Sequence, residues 1–241
     1  MDLRLLLPIW VVASIAISAG VTGWLYRGDG SRAEALQNSG IGQLVMELGS
    51  IMFCIAVPFV ALLTGTISLD LLGLGRLWAA GDHTFGFSTG DWLRAIGEGL
   101  GATALAALAL WTSRRGAGIV APGDGPASAV LTAIKEESHW MFYRAPGALL
   151  FSDPLYGALS GFALMLFEWL LHPRFLTAHV ARDNRWHLLT RLMCALVSGA
   201  LYLGTRNLWI IFVAGAAIRI AAAAMTVDRQ PKPIKQPAAS V

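Results

Sequence analysis

The stretch Lys135 to Arg144, KEESHWMFYR, sets five ionisable side chains and a tyrosine inside a chain that is otherwise strongly apolar. Residues three or four apart share a face of an α-helix, so Glu136 lies beside His139 and His139 beside Tyr143. A carboxylate and an imidazole at that spacing can hold one metal ion, as in carboxylate-rich di-metal bundles. The carboxylate can alternatively act as a general base on a water molecule. Glu137 is turned about 100° from Glu136 and precedes Arg144 by two helical turns, on a similar face but too far for direct pairing. A third group is needed to bridge them.

A second pair of the same chemistry occurs in LFEWLLHPRF, where Glu168 and His172 are four residues apart. One reading makes them further ligands for the Glu136 and His139 site. The other makes the segment an ordinary helix end, with His172 at the negative pole of the dipole, Pro173 stopping the helix and Arg174 in the headgroups. Depth separates the two. If the helix carrying Glu136 enters lipid at Ala127, Glu136 lies about 14 Å below the face at which His172 sits. If lipid is entered near Glu136, the two clusters come level and the span continues through Pro146 to Phe151.

Other ionisable residues have simpler expectations. Arg94 and Glu98 are spaced to pair along one helix. Glu47 lies near a helix start, where the dipole favours an anion, and Arg219, near the end of the last span, can snorkel outward. Cys54 and Cys194 sit in apolar runs and read as buried apolar residues. His83, His179 and His187 fall in or beside loops, where solvent or headgroups satisfy them.

The elements that must position these groups follow from composition. Of 241 residues, 56% are hydrophobic and 14% charged, against about 25% charged in soluble domains, and the mean hydropathy is +0.60. The fold class expected is all-α, a multi-pass transmembrane bundle of the cell membrane. Apolar length gives about seven spans: 5–26, 41–63, 92–111, 127–145, 155–171, 186–204 and 207–225. Ser88 or Thr89 caps the third span, with Asp91 in its first turn. The transmembrane domain covers 1–225, and the proline-rich tail 226–241 reads as disordered.

Lysine and arginine segregate between the loops. Arg27, Arg32, Arg114, Arg115, Arg174, Arg182, Arg185, Arg229, Lys232 and Lys235 fall on one side, and chiefly Arg4, Arg76 and Arg206 on the other. Cytoplasmic loops collect such residues, so the N-terminus is expected outside and the C-terminus in the cytoplasm. The net charge of +3 forms no continuous stripe, so the partner is a lipid bilayer and no nucleic acid is expected.

The glutamate pair on a helix that follows FGFSTGDWLRAIGEGLGATALAALAL resembles the CPBP family, the CAAX-protease and bacteriocin-processing membrane proteins, over about 91–209. The family's usual Glu-Glu-x-x-x-Arg spacing would put arginine at Met141, and the arginine here is Arg144. Gly215 stands near where a further histidine is often found. The resemblance implies an intramembrane endopeptidase acting on a membrane-associated protein or prenylated peptide, with Glu136, Glu137 and Arg144 catalytic. A divalent metal, zinc by preference, would be held by His139, Glu168 and His172, the histidines and Glu168 being drawn from the residue spacing alone. The alternative expectation is a catalytically silent scaffold or accessory subunit with a membrane protein partner, since small residues let helices pack closely. A carboxylate-bridged metal oxidase is a third, needing further ligand pairs.

Overall fold

The computed structural model describes residues 3–25, 31–75, 84–114, 125–171 and 184–227. These form an all-α bundle. In chain order the helices are α1 (Leu3–Leu25), α2 (Ser31–Asn38), α3 (Gly40–Ile51), a π-helical turn (Met52–Ala56) running into α4 (Val57–Leu63), α5 (Thr89–Ser113), α6 (Pro126–Phe151), α7 (Pro154–Leu171), α8 (Asn184–Thr205) and α9 (Leu208–Val227). Six spans among the described residues are long and apolar enough to cross a membrane: α1, α3 with α4, α5, α7, α8 and α9. The protein is therefore a multi-pass membrane protein. The seventh expected span is α6, whose length suffices but whose charges set it apart. It runs to Phe151, six residues beyond the span expected to end at Ala145. Residues 226 and 227 continue α9 rather than opening the tail, and 228–241 lie outside the described residues.

The side-chain distribution fits a lipid surround. Large apolar residues such as Leu93, Leu100 and Leu105 face outward from α5, while Ala95, Gly99 and Ala106 are buried. Lipid tails give no hydrophobic reason to hide leucine, so the inside of such a bundle is selected for close approach instead. The α6–α7 seam shows this most clearly. Gly157, Gly161, Met165 and Trp169 recur every fourth residue on the buried face of α7, and a Cβ on Gly161 would fall 2.5 Å from Arg144 Cγ and 3.1 Å from its backbone nitrogen.

Local sequence fixes the helix ends. Ser88 caps α5 in a capping box with Asp91, satisfying backbone donors that a helix start leaves open. Two tight hairpins share one design. Ser152 (φ 55°) and Arg206 (φ 49°) take left-handed backbone, and the next residue, Asp153 or Asn207, accepts from an amide of the following helix: Leu155 N at 2.8 Å and Trp209 N at 3.1 Å. α6 and α7 are thereby antiparallel neighbours, as are α8 and α9. The segment after α4 meets the second hairpin, with Leu208 N donating to Gly73 O at 2.8 Å. The far ends of α4 and α8 therefore share one end of the bundle.

α6 is the hub. Every residue from Glu137 to Ala148 is buried, and the helix packs on α1, the π-turn, α4, α7 and α9.

Candidate functional site

The polar stretch of α6 sends its side chains to four separate sets of partners. Lys135 Nζ lies 2.8 Å from Glu47 Oε1 of α3. Glu136 is gripped from two helices: Arg191 Nε of α8 lies 2.9 Å from Oε1, and Arg219 Nη2 of α9 bonds Oε2. Arg191 also rests over the ring of Trp169, 4.5 Å from its centroid, a cation–π contact that fixes the guanidinium plane.

Glu137 points elsewhere and is 1% exposed. The Ser198 hydroxyl of α8 donates to its Oε2 and accepts from Arg144 Nη2 at 2.5 Å, while the direct distance between Arg144 Nη2 and Glu137 Oε2 is 3.9 Å. Two turns of one helix are thus stitched through a hydroxyl on its neighbour, the bridging group that the seven-residue spacing demands. Arg144 further lies over Tyr202, 5.3 Å from the ring centroid. The arginine is 4% exposed.

His139 faces the opposite flank of α6. Its Nε2 lies 3.3 Å from Glu168 Oε2 of α7, and Glu168 Oε1 accepts from Ser18 of α1 at 2.9 Å. The imidazole is enclosed by aromatic rings, Tyr143 at 4.4 Å and Phe53 at 5.0 Å between centroids. Phe53 belongs to the π-turn ahead of Pro58. Proline cannot donate to the preceding turn and its ring crowds that carbonyl, and a π-turn is one way to take up the misfit.

Several expectations from spacing are met and others are corrected. His139 and Glu168 do meet, which brings the two clusters level with each other. Arg94 and Glu98 pair at 2.7 Å. Glu136 and His139, however, do not converge on one point, because each is drawn to a different helix pair. Glu47 answers to Lys135 and not only to its own helix dipole. Arg219 turns inward to Glu136 instead of snorkelling. Among the described residues no three His, Cys, Asp or Glu side chains are grouped to hold a metal ion. His172 lies outside the described residues, as do His83 and His179. The described donors, His139 and Glu168 facing each other with Glu136 turned away, fall short of a zinc set of three or four ligands.

Arg191 and Ser198 are the partners that spacing arguments overlook. Arg191 carries a signal, being a cation well inside an apolar span. Ser198 carries none, since a lone serine in a membrane helix reads as a small packing residue. No family model, curated protein or solved structure matches the chain.

Proposed function

We propose that this is a catalytically silent membrane scaffold or accessory subunit, whose charged layer locks the helices in register. One observation carries that reading. Both carboxylate oxygens of Glu136, the residue expected to activate water, are engaged by Arg191 and Arg219 from two other helices. A general base must turn an oxygen toward the proton that it removes, and here each oxygen is turned toward a guanidinium of another helix. Every other charge on the same stretch of α6 also has a partner on a neighbouring helix or through one. In this reading α6 is the seventh crossing, the N-terminus lies outside, and the basic segments and C-terminus face the cytoplasm.

The test is Glu136→Gln in the full-length protein. It is expected to leave any cleavage of membrane-embedded peptides unchanged while a stable membrane partner still co-purifies with the wild type. Loss of a cleavage activity in a variant that is folded and abundant would overturn it.

A second reading, a divergent endopeptidase resembling the CPBP family, is favoured by a different feature. A cleft of about 20 Å³ lies against Arg144, Trp140, Gly161, Met165 and Gly199, enough for one water molecule. Arg144 Nη1 has no hydrogen-bond partner among the described residues. Under that reading Arg144, the charged residue lining the cleft, is the group that meets the water, and Glu137 joins it only through Ser198. Glu137→Gln separates the two readings: loss of cleavage in that variant, folded and abundant, favours the endopeptidase, and no loss in it or in Glu136→Gln favours the scaffold.

A further inference from the structure

The Glu136 site is not electrically balanced. Two guanidinium groups, Arg191 and Arg219, face one carboxylate. The neighbouring acids are committed elsewhere: Glu137 to Ser198 and Arg144, and Glu168 to His139 and Ser18. Among the described residues one positive charge is therefore left without a carboxylate in a partly buried setting, and an unpaired charge away from water is costly. Arg219 Nε has no hydrogen-bond acceptor among the described residues. The Arg191 side chain is 40% exposed while that of Arg219 is 11% exposed, so the pair opens to the outside of the bundle through Arg191.

Position narrows the occupant. Arg191 lies about two turns after the start of α8 and Arg219 about two turns before the end of α9, or about 11 Å below that end of the bundle. Trp169, which carries Arg191 on its ring, is in the last turn of α7 at the same end. Arg191 is thereby level with the end of α7, and tryptophan favours the level where headgroups give way to acyl chains. Arginine's planar fork suits a tetrahedral oxyanion, which can accept from two guanidiniums at once.

We infer that Arg191 and Arg219 form a binding site for a phosphate group, that of an anionic phospholipid headgroup, with Glu136 holding the two guanidiniums in place between occupancies. This goes beyond the scaffold reading and does not depend on it.

The experiment uses the full-length protein purified in mild detergent. Retained phospholipid is measured by phosphorus assay and negative-ion mass spectrometry, and the thermal midpoint of delipidated protein is followed with phosphatidylglycerol vesicles, phosphatidylcholine vesicles and inorganic phosphate. Phosphatidylglycerol is expected to raise the midpoint. Arg191→Gln is expected to remove that response and lower retained lipid about fivefold. Arg191→Lys, which keeps the charge but loses the fork, serves if the glutamine variant does not fold. Glu136→Gln removes the competing carboxylate and is expected to retain at least as much lipid as the wild type. A response to inorganic phosphate as well supports the same chemistry and assigns the source to soluble anions. No response to either phosphatidylglycerol or inorganic phosphate, or an equal loss of lipid from folded Glu136→Gln and Arg191→Gln, would overturn the site and leave an ion triad.

Discussion

Two arginine–glutamate pairs in this molecule use the same chemistry in opposite surroundings. On α5, Arg94 and Glu98 lie one turn apart at 2.7 Å, with side chains 67% and 36% exposed. On α6, Glu137 and Arg144 lie two turns apart at 3.9 Å, with side chains 2% and 5% exposed, and are joined through Ser198 of α8. The shorter contact is the less consequential one. An exposed pair within one helix exchanges one set of solvating groups for another, whereas a buried pair cannot be broken without stranding a charge. Distance alone would rank them the wrong way round.

The strongest way to break the comparison is Arg144→Met. It removes the cation paired with the enclosed Glu137 and leaves that carboxyl with the Ser198 hydroxyl, and removing one partner of a buried pair costs about 3–5 kcal/mol. Expected outcomes are a sharp fall in folded yield and a large drop in the unfolding midpoint in bicelles. Arg144→Met combined with Glu137→Gln should recover much of the loss, because a neutral amide can still accept from Ser198. If the double variant were no better than the single, the role assigned to the buried charge would be wrong.

Gly161→Ala sharpens the same contrast without touching a charge. The added Cβ would meet Arg144 at its Cγ and at its backbone nitrogen, so α7 must retreat from α6 and the arginine stem must shift. Overpacking of this kind costs about 1–3 kcal/mol. The loss should be smaller than that from Arg144→Met, and it should be nearly absent for Gly101→Ala, where a new Cβ on the outer face of α5 meets nothing within 4 Å. Thermal midpoints of the two variants decide it.

What sequence can and cannot reveal divides along the same line. Helix spans, the Ser88 cap and the Arg94–Glu98 pair were readable because each depends on residues near one another in the chain. The Glu137 and Arg144 spacing even announced a missing bridge. Which residue bridges was not readable, since Ser198 is brought to α6 only by the packing of α8, and nothing in a serine's own neighbourhood announces an ionic partner. The same holds for Glu136. Its pairing with His139 along the helix was the local option, but Arg191 and Arg219 arrive from two other helices, and two guanidiniums outcompete a single imidazole. Local spacing lists the groups available, and tertiary packing selects among them.

The smallest expected effect is the most exacting check on that contrast. Arg94→Gln removes a cation whose side chain is 67% exposed and leaves Glu98, 36% exposed, without that partner. No change in the unfolding midpoint beyond measurement error is expected, and the α5 capping box at Ser88 and Asp91 remains whole. One structural detail makes the outcome informative. Glu98 faces Gly204 of α8, where any added Cβ would collide with its carboxylate, so the glutamate does touch a second helix even though its partner does not. A marked loss of stability in Arg94→Gln would mean that Arg94 steers Glu98 against α8. The exposed pair would then be a device for joining helices, and the distinction drawn from burial would fail at α5.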